Sequence, residues 1–471
     1  MSFLFEKIKK EMSGNEDLIC RELVSKSGKV EIYFLKSMTD KELISKQIIE
    51  PILSFKETFD FYTLKNGIVR ASEVEEINKD EIVDKILKDF VVLNFNDNFL
   101  AFDIEKVPTR TPSEPPTSPN IYGPREGFVE SLQSNLSLIR KRLQTKDLVI
   151  SNYVIGKQTN TKVSLLYLKN IAKKDVVKDI KKRLSNIDID GVVDSYYIAE
   201  FLKVKKTSMF EQVAFQEKPD IVVAKVLEGR VAIVVDGSPI VITLPYMLFE
   251  DLQSSNDYYT NYVYVNLVRI IRTIGVALAT ILPGLYLSTL LYSYNILPIS
   301  YVIVIANSTK NLPFTPVLEI SFILLLFQVL YEVSLRLPQY LGLATSIVGA
   351  LVLGDTGVKA GLISPPGVVV VAVSIMAIYT VPSQSSQLTV LRVIFVFLGA
   401  TMGLFGIIGG IVFVINYINT LNAYDTPFLA PFAPKVPTDL KDGIFKKSLT
   451  FMKKRPASLS PQNKNRQKEG K

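Results

Sequence analysis

Five charged side chains lie inside or beside long apolar stretches, where a charge has chemical consequences: Glu319, Glu332, Arg336, Asp355 and Lys359. An uncompensated charge at hydrocarbon depth costs roughly 2.5 to 3.5 kcal/mol, so each one needs a partner. Glu332 and Arg336 are four residues apart on one helical face, which favours a local ion pair at the membrane surface. Asp355 and Lys359 have the same spacing in a glycine-rich stretch. For them two interpretations stay open, a structural ion pair and the lining of a cavity or ion pathway.

The remaining composition excludes most enzyme chemistry. The 471 residues include no histidine, no tryptophan and a single cysteine, Cys20. Ser-His-Asp triads, histidine-bearing zinc or haem sites, CxxC redox motifs and disulfide frameworks are therefore excluded. We find no phosphate fingerprint, metal-ligand cluster or activated nucleophile in the soluble parts, and the segment VVDGSP from Val234 favours a hairpin turn over a phosphate loop. We expect no cofactor and no enzymatic activity.

Hydropathy and charge indicate a membrane protein. Hydrophobic residues make up 48% of the chain and the mean hydropathy is +0.25, which is too apolar for soluble domains alone. The polar, charged N-terminus lacks an apolar core region, so we expect no cleaved signal peptide and a cytoplasmic N-terminus. From Lys435 to Lys471 there are 11 basic and 3 acidic residues, an excess equal to the whole net charge of +8. Such a tail favours a topology signal and contact with anionic lipid over binding of nucleic acid.

Composition divides the chain into five parts, two of which combine strand and helix patterns. The parts are an α/β unit at 1–105, a proline-rich linker at 106–123, a second α/β unit at 124–265, a transmembrane domain at 266–420 and a basic cytoplasmic tail at 421–471. The predicted fold class is thus a soluble α/β region of two subdomains followed by an all-α membrane domain.

Periodicity predicts the elements of the two units. In the first unit we expect strands within 18–36 and in VVLNF and NFLAFDI, and helices at Asp40–Ile52 and Lys79–Phe90. In the second, apolar residues on one face predict a helix from Arg125 to Leu143, followed by strands in DLVISNYVIG and VSLLYL and a helix at Lys174–Leu184. Turn dipeptides at 228–229 and 236–237 predict a three-stranded antiparallel meander over 221–245.

Four apolar segments approach the roughly 20 residues that cross hydrocarbon. They are Ile271–Tyr292, Pro316–Leu337, Pro365–Val381 and Leu388–Ile415. Arg269 and Arg272 lie at the start of the first segment, Arg336 lies at the end of the second and the basic tail follows the fourth, so four crossings put these basic clusters inside. Arg392 then lies at the outer side. The interrupted stretch Gly342–Gly361 is predicted to be a re-entrant or broken helix, which membranes tolerate only inside protein or beside water.

Four glycines recur at intervals of three and four residues in the last apolar segment. They are Gly399, Gly403, Gly406 and Gly410. This spacing allows helices to approach closely. It predicts tight packing, either within one subunit or between copies.

Five blocks of sequence together resemble the A subunit of the GerA family of spore germinant receptors. The blocks are PREGFVESLQSNLSLIRKRL, EKPDIVVAKVLEGRVAIVVDGSP, YEVSLRLPQ, GALVLGDTGVKAGLISPPGVVVV and TPFLAPFAPKVPTDLKDGIFKKSLTFMKKRP. The resemblance covers most of the chain from about Gly123 to the tail. It implies a two-part soluble domain on the core side of the spore inner membrane, a transmembrane domain and no enzymatic activity. It also implies assembly with a transporter-like B subunit and a lipoprotein C subunit, and oligomers that form a cation channel opened by nutrient.

This resemblance leads to two functional hypotheses. The first is that the stretch from Asp355 to Val368 contributes to the constriction of the channel, with Asp355, Lys359, Leu362, Ser364 and Val368 as candidate pore or gating residues. The second is that the soluble domain transmits assembly or gating contacts.

Other functions stay open. The A-like paralogue encoded with the spore dipicolinate-channel genes would act downstream as an ion-release channel. A secondary transporter would use broken helices at mid-membrane, but it predicts two related halves, and we find no internal repeat.

Overall fold

The computed structural model describes residues 3–71, 74–104, 122–310, 312–336, 349 and 351–467, with the backbone alone at 351–353. Two predicted segments fall partly outside these residues. Of the linker at 106–123 only the last two residues are described. The predicted broken segment Gly342–Gly361 is described at Gly349 and from residue 351 onward.

The first α/β unit is an antiparallel sheet with helices on both faces. The strand order is β1-β2-β4-β5-β3, with bounds β1 Leu18–Ser25, β2 Gly28–Leu35, β3 Val74–Ile77, β4 Phe90–Phe95 and β5 Asn98–Asp103. The helices are α1 Phe3–Glu11, α2 Lys41–Ile44, α3 Glu50–Ser54, α4 Phe61–Thr63 and α5 Ile82–Leu87, with π-helical turns at Ser45–Ile49 and Leu64–Ile68. Alternate strand residues face opposite sides, so Ile32 packs with Ile48 of the π-helical turn, and Tyr33 packs with Phe5 of α1 and Ile86 of α5.

The second α/β unit repeats this architecture. Its strand order is β6-β7-β9-β10-β8, with bounds β6 Leu148–Ile155, β7 Thr161–Leu168, β8 Ala214–Gln216, β9 Val231–Val235 and β10 Val241–Leu244. The helices are α6 Leu132–Arg142, α7 Lys174–Ser185, α8 Ser195–Leu202 and α9 Pro219–Glu228. Ile233 packs against the side of α7 and α8, and Val234 against the side of α6 and α9. The predicted α/β class is confirmed.

Two element predictions for the second unit are wrong in detail. The predicted meander is helix α9 followed by two strands, because Pro219 starts a helix and Gly229 ends it with φ 112°. A short apolar run is ambiguous between strand and helix, and turn dipeptides do not resolve it. The helix predicted from Arg125 begins seven residues later, where Ser131 caps it. Before that point Phe128 N donates to Glu217 O at 2.8 Å.

The C-terminal part is helical. Its helices are α10 Tyr262–Tyr292, α11 Ile299–Thr309, α12 Pro316–Arg336, α13 Pro365–Ile378 and α14 Ser385–Asn419. Short 3-10 helices at Leu248–Leu252, Ser255–Tyr258 and Pro382–Gln384 flank them. By length and composition, three helices among the described residues could cross a membrane, at Tyr262–Tyr292, Pro316–Arg336 and Pro382–Asn419. The predicted third span is α13, which has only 14 residues.

The longest of these helices, α14, is folded back on itself at Gly403. This residue has φ 61° and ψ −144°, a backbone region essentially restricted to glycine. A methyl group at Gly410 would lie 2.9 Å from the ring of Phe395, although fifteen residues of unbroken helix span roughly 22 Å. The prediction of one crossing over Leu388–Ile415 is therefore wrong. Hydropathy is summed over a window and does not register one residue with positive φ.

Both ends of the α14 hairpin lie beside the soluble region. Before its first half, Gln384 Nε2 donates to Asp251 Oδ2 at 2.6 Å. Near the end of its second half, Met209 N donates to Tyr417 OH at 3.4 Å. The hairpin therefore rises from the soluble region and returns to it.

The turn of the hairpin lies at the far end of α10. The hydroxyl of Tyr292, the last residue of α10, donates to Ala400 O at 2.8 Å and its ring lies against Gly403. Arg392 precedes the turn by eleven residues and follows Gln384 by eight. On the first arm of the hairpin, Arg392 is thus closer to the soluble region than to the turn. Its predicted outer position is therefore also wrong.

The tail packs on the second α/β unit and on α10. Strands β11 Asn422–Ala423 and β12 Thr426–Pro427 form a short hairpin. Phe428 is fully buried against Phe210 and Tyr246, and Gln462 N donates to Ile171 O at 2.8 Å. Much of the predicted tail is thus part of the fold.

Glycines allow α10 and α14 to touch through their backbones. A methyl group at Gly399 would collide with the carbonyl oxygen of Gly284, and one at Gly284 would collide with the carbonyl oxygen of Phe395. The four-residue spacing noted in the sequence therefore serves packing within one subunit at Gly399.

Gly399→Ala is expected to destabilise the full-length protein by roughly 1 to 3 kcal/mol, because backbone atoms must move apart to admit the methyl group. The matched control is Gly409→Ala on the same helix, where a methyl group would meet nothing within 4 Å. Thermal denaturation of both variants in nanodiscs measures the difference. Equal melting temperatures would contradict the close contact of α10 and α14.

Candidate functional site in the membrane region

Glu319 and Ser364 form a buried polar contact among the membrane helices. Glu319, in the first turn of α12, accepts hydrogen bonds at Oε1 from Ser364 N at 2.7 Å and from Ser364 Oγ at 2.5 Å. Their exposed fractions are 1% and 0%. The sequence singled out both residues separately, and the structure brings them together.

This contact lies at the N-terminus of α13. Ser364 caps the helix by accepting a hydrogen bond from Gly367 N at 3.1 Å. Pro365 and Pro366 have no N–H group, so the first turn has few donors left to satisfy. The carboxylate of Glu319 lies at the positive end of the helix dipole, which stabilises its charge. One subunit thus supplies the compensation that a charge in hydrocarbon requires.

The carboxylate of Glu319 comes so close to residue 367 that only glycine fits there. A methyl group there would lie 2.7 Å from Glu319 Oε1 and 3.0 Å from Ser364 Oγ. The sequence Ser-Pro-Pro-Gly therefore combines a cap, two residues without donors and the space for an acid from another helix.

The segment before α13 carries an exposed ion pair. Lys359 Nζ lies 2.8 Å from Asp355 Oδ1, and the side chains are 74% and 52% exposed. They lie on a π-helical turn at Leu351–Thr356 and a short helix at Gly357–Lys359. Leu362, just beyond, is 44% exposed. The interrupted character predicted for this stretch is present in its described part.

The predicted pore residues therefore divide into two groups. Ser364 is buried, and Val368 packs against the apolar cluster that contains Ile320 of α12 and Val371 of α13. The other group, Asp355, Lys359 and Leu362, is exposed in a single copy of the chain. The second group is the more available to a neighbour or to water, since Val368 of the first group is half-buried.

The second predicted ion pair is also present. Arg336 Nη2 lies 2.6 Å from Glu332 Oε1 in the last turns of α12, and both side chains are exposed. An exposed pair of this spacing contributes little to stability, about 0.3 to 0.5 kcal/mol.

The four glycines of α14 all make contacts within one subunit. Gly399 contacts Gly284 of α10, Gly403 forms the reversal, and Gly406 and Gly410 face the first half of the hairpin. The sequence left packing within a subunit and between copies equally open.

A buried charge cluster where α10 meets the soluble region was not recognised from the sequence. Arg269 Nε lies 2.9 Å from Asp257 Oδ2, and Arg269 Nη1 lies 2.9 Å from Asp442 Oδ1. Arg272 Nη2 donates to Asp257 Oδ1 at 3.0 Å. Burial raises the pKa of Asp442, and the nearby Arg269 opposes that rise. From the sequence we interpreted the two arginines as topology signals. Their acidic partners were not recognised because they lie 12 to 173 residues away, beyond the spacing of one helical face.

The described residues hold no group of three or more His, Cys, Asp or Glu side chains placed to bind a metal ion.

A double-mutant cycle of Glu319→Gln and Ser364→Ala is expected to give a coupling energy of about 1.5 to 3 kcal/mol, the range of hydrogen bonds to charged groups. The exposed pair provides the matched control. Glu332→Gln with Arg336→Leu should couple by less than about 0.5 kcal/mol. Unfolding of the full-length protein in detergent measures both cycles, and equal coupling energies would contradict the burial of the Glu319 contact.

The sequence matches known proteins over most of its length. The family model described as Bacillus/Clostridium GerA spore germination protein matches residues 6–458. Spore germination protein KA of Bacillus subtilis (strain 168) is 30% identical over 470 residues, which cover 98% of this chain and 86% of that protein. Spore germination protein XA of Bacillus anthracis is 32% identical over 437 residues, which cover 91% and 88%.

One solved structure is also similar. The crystal structure of the N-terminal domain of the A subunit of the Bacillus megaterium spore germinant receptor GerK3 is 24% identical, with a TM-score of 0.38, and the match covers 52% of this chain and 94% of that chain. The two relatives are both named spore germination proteins, in agreement with the resemblance. The family model spans nearly the whole sequence, and the chain therefore belongs to the Bacillus/Clostridium GerA family of spore germination proteins.

Proposed function

We propose that the chain is the A subunit of a spore germinant receptor in the spore inner membrane, with both termini on the core side. Family membership supports this proposal. So does the position of the tail, which packs on the soluble α/β region and thus lies on the same side of the membrane helices. The receptor would contain a transporter-like B subunit and a lipoprotein C subunit beside this one.

Copies of the chain would oligomerise into a cation channel that opens when nutrient binds to the receptor. The observation that carries this step is the exposed group Asp355, Lys359 and Leu362, on a broken helix between α12 and α13. Exposed charges at membrane depth are unfavourable against lipid. A ring of copies would turn them toward a shared aqueous route, where a narrow passage can use charged and apolar side chains together.

Leu362→Ala is expected to raise resting cation conductance and to start germination without nutrient, because removal of an apolar side chain from a constriction lets water and ions enter. Val368→Ala should act in the same direction, although it also removes packing inside the bundle. Cation current across bilayers containing the reconstituted receptor, and ion release from spores, measure the effect.

Ile408→Ala is the matched control, since Ile408 is an exposed aliphatic residue on the second half of α14. It should leave conductance unchanged. Unchanged resting conductance in both Leu362→Ala and Val368→Ala would count against the assigned constriction.

The soluble region would transmit assembly or gating contacts to the membrane helices. Arg269 supports this part of the proposal, because its side chain joins Asp257 of the soluble region to Asp442 of the tail from its position on α10. A movement of the soluble region would act directly on α10 through this cluster.

Arg269→Leu is expected to destabilise the junction by about 3 to 5 kcal/mol, because it removes the buried cation from Asp442 and leaves Asp257 with Arg272 alone. Receptor assembly and nutrient response should both fall. Arg70→Leu, at an exposed position of the first unit, is the matched control and should preserve both. Normal assembly and response after deletion of residues 1–256 would refute a transmitting role of the soluble region.

A further inference from the structure

A segment of the tail, residues 445–451, is held where α10 leaves the soluble region. Lys446 N donates to Asn266 Oδ1 at 2.6 Å, and Arg269 Nη1 donates to Gly443 O at 2.7 Å. The uncharged part of α10 begins at Thr273, seven residues or roughly 10 Å beyond Asn266. One leaflet's headgroup layer is roughly 5 to 8 Å thick. Lys446 of this segment therefore lies at about the height of the membrane surface.

Three apolar side chains of this segment are turned outward. Phe445, Leu449 and Phe451 are 60%, 45% and 63% exposed. Their neighbours in sequence are the exposed lysines Lys447, Lys453 and Lys454. We call these six residues the tail patch. Exposed apolar side chains grouped with basic ones are typical of a segment that lies in the membrane interface.

The acidic residues of the described tail do not offset the positive charge of the patch. Asp439 accepts hydrogen bonds from Ala457 N at 2.8 Å and from Ser458 N at 2.7 Å. Asp442 pairs with Arg269. Asp439 and Asp442 are thus used inside the fold, and the third acid of the described tail, the exposed Asp425, pairs with Lys173. The charge of the tail patch itself is basic.

We propose that the tail patch inserts into the surface of an anionic bilayer. Its three apolar side chains lie at the boundary between headgroups and acyl chains, and its lysines contact lipid phosphates. This inference goes beyond the proposed function, because it requires neither ion conduction nor another subunit. It gives the tail a second anchor beside the Arg269 cluster, so that the lipid surface and α10 hold the same segment.

The chain has no tryptophan, so Phe451→Trp introduces a single fluorescent reporter into the full-length protein. The variant is reconstituted in nanodiscs of phosphatidylcholine, alone or mixed equally with phosphatidylglycerol, with lipids that carry bromine on the acyl chains as quenchers. We expect blue-shifted emission that brominated lipid quenches, more strongly in the anionic discs. Phe451 is exposed, and its replacement leaves the buried core intact.

Two further sets of variants make the test selective. Tyr62→Trp, at an exposed position on α4, is the control and should not be quenched. Lys447→Glu, Lys453→Glu and Lys454→Glu, each combined with Phe451→Trp, should shift the equilibrium between inserted and free patch by about fivefold or more in anionic discs.

Three outcomes would overturn the proposal. The first is quenching of the Phe451→Trp reporter no greater than that of Tyr62→Trp. The second is a blue shift without quenching, which would show that protein and not lipid covers the patch. The third is equal quenching with and without anionic lipid together with no effect of the lysine substitutions.

Discussion

The buried side chain of Arg269 connects the soluble region, helix α10 and the tail. This guanidinium is fully buried on α10, and it contacts Asp257 from the soluble region and both Asp442 and Gly443 from the tail. A buried charge is tolerated only when its partners satisfy it, and removal of one partner costs about 3 to 5 kcal/mol. The path of the tail and the direction in which α10 leaves the soluble region therefore depend on the same side chain.

Close backbone contact at glycines determines the arrangement of the membrane helices. Lipid tails are as apolar as leucine, so helices in a membrane associate mainly through packing and polar contacts. Gly284 and Gly399 let α10 and α14 meet, and Gly403 reverses α14. As a consequence both ends of α14 lie beside the soluble region, where Asp251 and Met209 bind them.

The charged groups of the C-terminal helices are compensated in two ways. Glu319 is buried, and its charge is stabilised by Ser364 and the N-terminus of α13, so it contributes to the bundle of a single copy. Asp355 and Lys359 are paired with each other but exposed. In the proposed assembly, neighbouring copies or water would cover this pair, because an ion pair exposed to lipid is unfavourable.

The sequence by itself determined the class of protein, the α/β character of the soluble region and the family. These properties depend on composition, on local periodicity and on blocks of contiguous residues, all of which are present before the chain folds. The spacing of Glu332 and Arg336 likewise predicted their contact, because residues four apart on a helix are neighbours in any fold.

The tertiary structure alone decided which distant residues meet. The path of α14 depends on one backbone conformation at Gly403, which no window of hydropathy detects. The pairing of Glu319 with Ser364 joins residues 45 positions apart, and that of Arg269 with Asp442 joins residues 173 positions apart. Local periodicity carries no information on such pairs, because they form only when packing brings separate elements together.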